Sequence, residues 1–142
     1  MPKDNYLESR VLSADPVELI HLLYEHALHQ VGCARAALAA QDIIARSKAI
    51  TKALEVIGEL EGSLDYSAGG AISVNLAKLY RYIRRRLVEG NVNREDAPLA
   101  EAESLLGTLG EGWSAMRHTV AHPVTMPYSQ MVTDPAAHAW SA

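Results

Sequence analysis

Four stretches of this chain repeat apolar residues every three to four positions, and no stretch alternates them every second position for any length. That pattern confines the chain to helix packed on helix, because a strand buries one face at period two and a helix near period 3.6. The first stretch opens at Asp15-Pro16-Val17-Glu18. Aspartate accepts from amides that the first turn leaves unpaired, proline suits the first helical position, and a glutamate three residues on can bond back to the cap. Behind it Ile20, Leu23, Tyr24, Ala27, Val31, Ala34 and Leu38 share a face, so a helix to about Ala40 is expected. A second runs from about Asp42 to Glu61 with Ile43, Ile50, Leu54 and Ile57 aligned, and a turn follows at Gly62 to Gly70. A third covers Ala71 to Glu89, aligns Ile72, Leu76, Leu79, Ile83 and Leu87, and stops at Gly90-Asn91. The fourth starts near Asp96-Ala97-Pro98, again a cap before a proline, and aligns Leu99, Ala102, Leu106, Leu109 and Trp113.

Short connections between helices of similar length favour antiparallel neighbours. The expected fold is therefore all-α: an up-down-up-down four-helix bundle over residues 15–117, preceded by a short segment, 1–14. A flexible tail with three prolines and no apolar period is expected over 118–142. Gly107, Gly110 and Gly112 each cost a helix interior up to about 1 kcal/mol relative to Ala, so the fourth helix is expected to be short or mobile at its end. About half of the 142 residues are apolar, enough for one domain with its own core.

The formal charge of −4 argues against general binding of nucleic acid, which runs on clustered Lys and Arg. The one basic cluster, Arg81, Arg84, Arg85 and Arg86, puts Arg81 and Arg85 with Lys78 on an outer face, expected to be solvated. Cys33 is the sole cysteine, so no disulfide framework forms and a reducing compartment, the cytosol, is expected. Neither an apolar signal-like start nor a stretch of membrane-spanning length is found, so no membrane insertion is expected.

Catalytic and metal chemistry find little support. His21, Glu25 and His29 recur every four residues, but on a side expected to face solvent, and no metal or cofactor is assigned to them. Glu18-Leu19-Ile20-His21 matches one Glu-x-x-His unit of a di-iron bundle, and the second unit such a centre needs is missing. Cys33 is read as lacking a histidine or basic neighbour a turn away, hence as packed rather than nucleophilic. Gly69-Gly70 has no preceding strand and no following lysine, so it is a turn and not a phosphate loop. No nucleophile, base and oxyanion site come together, and an enzyme is not expected.

What remains is an apolar surplus. The second helix carries a shoulder of Ala49, Ala53, Val56 and Leu60 beside its main stripe, and the third places Asn75, Leu79, Tyr82 and Arg86 at matching spacing. Leu19 and Leu23 add to this on the first helix, where Leu22 points nearly opposite the core. Neighbours within a monomer would bury such a shoulder. Otherwise it lines a groove for an amphipathic helix from a partner, or the seam of a weak homodimer. Tyr6 and Leu7, ahead of the first cap, are apolar anchors too short of chain to build a core of their own.

Several pieces in order resemble the flagellin-specific export chaperones, the FliS family. They are Tyr6, Val11 to Ile20, Leu23-Tyr24-Glu25-His26-Ala27-Leu28, Ser63-Leu64-Asp65-Tyr66, Gly69-Gly70, Ile72, Asn75-Leu76, Leu79-Tyr80-Arg81-Tyr82 and Leu87. His26 stands where that family usually has a small residue, and the tail after about Arg117 matches nothing in it. The resemblance implies a cytosolic chaperone that holds the disordered C-terminal segment of flagellin, stops it polymerising early and helps deliver it to the flagellar type III export gate. It also implies that the N-terminal segment covers part of the flagellin site and moves aside on binding. Tyr6, Leu7, Leu19, Leu22, Leu23, Val56, Leu60, Asn75, Leu79, Tyr82 and Arg86 are the expected partner contacts.

Overall fold

A computed structural model describes residues 15–121, with side chains through Met116. The described residues form an all-α bundle of five helices: α1 (Pro16–Ala39), α2 (Ile43–Gly62), α3 (Tyr66–Gly69), α4 (Ala71–Asn93) and α5 (Asp96–Ala121). Around the bundle α1 packs on α2, α2 on α4, α4 on α5, and α5 back on α1. The expected N-terminal segment and most of the expected tail lie outside the described residues.

The starts follow the expected chemistry. Asp15 accepts from the Glu18 amide at 2.7 Å with Pro16 at the head of α1. Asp42 caps α2 by accepting from Ala45 N at 3.1 Å. The turn expected between the second and third helices contains the single-turn α3. Asp65 caps it, accepting from the amides of Ser67 and Ala68 at 3.1 Å each, and these bonds with the Ser67 hydroxyl hold its carboxyl below the usual range. Ser73 Oγ donates to the Asp65 carbonyl at 2.9 Å, tying α4 to this turn. Gly70 joins α3 to α4 with φ +51°, a conformation open to glycine and strained for other residues.

Two helix ends differ from expectation. α4 does not stop at Gly90 but continues to Asn93, where Arg94 closes it in the left-handed conformation. Gly90 serves packing instead: a Cβ there would lie 2.6 Å from Leu99 Cδ2 and 3.0 Å from the Glu95 carbonyl. Its bare backbone is what lets α5 approach α4. The last helix is not cut short by its glycines and runs unbroken to Ala121. Gly110 faces Tyr24, and tertiary burial outweighs the poor propensity of the run. Asp96, expected as a cap, is the first helical residue. Its carboxylate receives a bidentate bond from Arg35, which holds it below the usual carboxylate range.

The core is assembled from Ala27, Val31 and Ala34 of α1, Ile50, Ala53, Ile57 and Leu60 of α2, Ile83 and Leu87 of α4, and Leu99, Ala102 and Leu106 of α5. Within it Tyr24 Oη lies 2.5 Å from Tyr80 Oη. Burial, first, pushes both phenols above their ordinary value, and the hydrogen bond raises Tyr24 further.

The helix glycines generate opposite expectations. Gly107 has open space around it, so Gly107→Ala should stabilise by up to about 1 kcal/mol. Gly90→Ala should destabilise by roughly 1–3 kcal/mol through overpacking against Leu99. Urea melts of the two variants check both signs.

For the tyrosine pair, folding holds both protons above the unfolded value near 10. Their contribution is therefore complete below about pH 10 and lost as pH rises beyond it. Tyr24→Phe strands the Tyr80 hydroxyl and should cost about 1–3 kcal/mol at neutral pH. Tyr24→Phe with Tyr80→Phe should cost less and lose less stability between pH 9 and about 11 in thermal melts.

Candidate partner-binding surface

Of the two outcomes open to the α2 shoulder, the structure takes burial within the monomer, so Val56 and Leu60 are not accessible partner contacts. On α2, Ala49, Ala53, Val56 and Leu60 are buried, and Leu60, 1 % exposed, is among the largest fully enclosed side chains. Ile43, placed in the core stripe by its size, is exposed, as is Ile44 beside it. The buried face of α2 is rotated from the one its large residues suggest, toward Ala49, Ala53, Val56 and Leu60. Leu22 is also corrected: it is 3 % exposed on the face of α1 turned from the core cluster. A helical wheel reports which side faces the helix's own core and is blind to what lies over the outer side.

On α4 the expected residues remain at the surface. Asn75 is exposed, Leu79 is half-buried against the core, and Tyr82 and Arg86 are half-buried. Tyr82 Oη donates to Glu101 Oε1 of α5, and Arg86 Nε donates to the same oxygen at 2.9 Å. Arg86 Nη1 also reaches Glu89 Oε2 at 2.7 Å. The Tyr82 hydrogen bond, with Arg86 beside it, holds the Glu101 carboxyl below its usual range. This quartet is a polar seam between α4 and α5.

Leu19 and Leu23 lie elsewhere. Arg35 marks the α5-facing flank of α1, and helical spacing sets Leu19 and Leu23 roughly 160° and 120° around from it. The expected contacts thus fall on different sides of the bundle. Tyr6 and Leu7 lie outside the described residues.

The α4 surface holds a feature the sequence reading passed over. Val74, Val88 and Val92 are exposed, the last at 70 %, and they share the outer face with Lys78, Arg81 and Arg85. Arg81 pairs loosely with Glu61 at 3.6 Å, and Arg85 lies 5.9 Å over the Tyr82 ring. Valines interleaved with cations at helical spacing were the available signal.

The candidate chemistry of α1 resolves into pairs. His21 Nε2 contacts Glu25 at 3.0 Å, and His29 Nε2 lies 3.5 Å from Cys33 Sγ. Cys33 is exposed rather than packed, and its histidine neighbour is four residues earlier, a spacing the sequence reading overlooked. Among the described residues no three His, Cys, Asp or Glu side chains are placed to hold a metal, and no helix is long and apolar enough to cross a membrane.

A helical bundle with a mixed apolar and basic outer face belongs to the class of binding proteins, and the comparisons with known proteins narrow that class. The family model described as Flagellar protein FliS matches residues 2–120. The flagellar secretion chaperone FliS of Salmonella typhimurium is 37% identical over 108 residues, 75% of this chain and 80% of the relative. The flagellar secretion chaperone FliSB of Pseudomonas aeruginosa is 36% identical over 112 residues, 79% and 89% of the two chains. FliS of Bacillus subtilis is 29% identical over 112 residues, 79% and 83%. This chain belongs to the FliS family, which is a family of flagellar secretion chaperones and not of enzymes.

The corrected burial yields a paired expectation. Leu60→Asp places an unpaired charge in the core and should cost over 4 kcal/mol, abolishing the cooperative melt seen by circular dichroism. Tyr82→Ala removes a half-buried ring and its bond to Glu101, whose carboxylate keeps Arg86, and should cost about 1 kcal/mol while leaving the melt cooperative.

Proposed function

We propose that this protein is a cytosolic export chaperone that binds the disordered C-terminal segment of flagellin, prevents its premature polymerisation and aids its delivery to the flagellar type III export gate. The observation that carries this reading is the family match over residues 2–120, which covers α1 to α4 whole and all but the last residue of α5. The physical logic agrees with it. Flagellin's terminal segments are amphipathic and would self-assemble through their apolar faces, so a chaperone must cover those faces. Coupled folding would cost the client about 2–5 kcal/mol, offset by burial along the bundle.

Asn75, Leu79, Tyr82 and Arg86 on α4 are the accessible part of the proposed contact surface, with Leu19 and Leu23 on another flank. A client reaching both sets must wrap around the bundle. Val56, Leu60 and Leu22 are enclosed and would contribute only by supporting the surface or by uncovering. Residues 1–14, with Tyr6 and Leu7, act in this reading as an intramolecular competitor for the client.

Calorimetry of a flagellin C-terminal fragment against the intact chain, a deletion of residues 1–12, and Tyr82→Ala tests the proposal. The intact chain should bind, and Tyr82→Ala should weaken binding roughly thirtyfold if the ring is a desolvated anchor. The deletion should tighten binding, about tenfold for each 1.4 kcal/mol of docking energy removed. Absence of fragment binding by both the intact and the shortened chain, with a mass that grows with concentration in light scattering, would favour self-association instead.

A further inference from the structure

At the end of the bundle where α1 turns into α2 and α4 finishes, Leu38, Gln41, Ile43, Arg46 and Arg94 line a cleft of about 430 Å³. Arg46 is 6 % exposed, an uncommon place for a guanidinium without an anion. Its Nε donates to the neutral Asn91 Oδ1 at 2.8 Å, and no carboxylate pairs with it among the described residues. A guanidinium carries five N–H donors; only Nε is bonded to a described side chain, and the terminal nitrogens are not sealed from solvent, so they stay open to a ligand in the cleft that Arg46 lines. Asp42, the acidic side chain closest to it in sequence, is occupied in capping α2.

Arg94, at the rim, has no ion pair among the described residues. It sits at φ +56°, where a helix more often ends in glycine. Leu38 and Ile43 supply apolar wall beside these two charges. An anion entering the cleft would give this guanidinium the charge-assisted partner that no described side chain supplies.

We propose that this cleft is a binding site for an organic carboxylate with an apolar body. Arg46 takes the carboxylate through its terminal nitrogens, Arg94 closes over it from the rim, and Leu38 and Ile43 cover the hydrocarbon. A bidentate guanidinium–carboxylate pair fits this arrangement in geometry as well as charge. The inference stands apart from the export reading, since neither arginine belongs to the proposed flagellin surface.

The test is a titration of the intact protein, followed by backbone amide NMR, with hexanoate, its neutral isostere hexanamide, and inorganic phosphate. Hexanoate should shift the amides of Leu38, Gln41, Ile43, Arg46 and Arg94 saturably, and bind at least about tenfold more tightly than hexanamide. Arg46→Met should abolish these shifts while keeping a cooperative melt, because the apolar side chain fills the space of the arginine stem and loses only the Asn91 bond. Arg94→Gly, which relieves the left-handed backbone, should fold as well as wild type and weaken hexanoate severalfold. Equal binding of hexanamide, equal or tighter binding of phosphate, or full hexanoate binding by Arg46→Met overturns the proposal. So does unchanged hexanoate affinity in Arg94→Gly, which removes the rim arginine from the site.

Discussion

The chain contains no phenylalanine, so the aromatic bulk at the centre of its bundle comes from tyrosine, and tyrosine brings a hydroxyl that must be satisfied. Tyr24 and Tyr80 solve this together, one hydroxyl donating and the other accepting across the core. Their helices, α1 and α4, are not neighbours around the ring of packed helices, so the bond spans the bundle and fixes its depth. Alanines at 27, 34, 53 and 102 then let the flanking backbones close around it. A hydroxyl pair of this kind admits little sliding, because any displacement leaves two buried polar groups unpaired at once.

Periodicity located all four long helices, and Asp15 with Pro16 marked the start of α1, because capping is local chemistry. Rotation of each helix about its axis was less legible. Ile43 and Ile72 fell on the periodic stripes and are exposed, whereas Ala49 and Ala53, set on a shoulder beside the stripe, are buried, as is Ala77. Close helix approach selects small residues, and a stripe drawn through the large ones is displaced toward the edge of the contact. Gly90 shows the same effect in another form: it resembled a stop and is a seat for Leu99. The α4–α5 seam was half legible, since Tyr82 and Arg86 stood out but their shared acceptor, Glu101, gave no periodic signal.

This separation of inner and outer faces suits a protein whose family works as flagellar secretion chaperones. The core of α4 is Ser73, Ala77, Tyr80, Ile83 and Leu87, and its outer surface carries Val74, Val88 and Val92 among cations. One helix thus serves stability on one side and presents adhesive surface on the other, without either set of side chains being shared. Substitutions on the outer face leave the tyrosine bridge and its alanine surround intact.

The last helix is fastened to the first at two places. Near its start, Arg35 holds Asp96 through both carboxylate oxygens at 2.8 Å and Glu103 at 2.7 Å. Further along, Trp113 Nε1 donates to the Val17 carbonyl at 3.1 Å. The two fastenings answer to different surroundings. Screening ions and acid weaken the first and leave the second, which is a neutral hydrogen bond beside an apolar ring. The α1–α5 contact therefore has a brine-sensitive polar clasp at one end and an indifferent one at the other, and at high ionic strength α5 would be held at its Asp96 end by the buried Leu99 and Ala102 alone while Trp113 stayed latched.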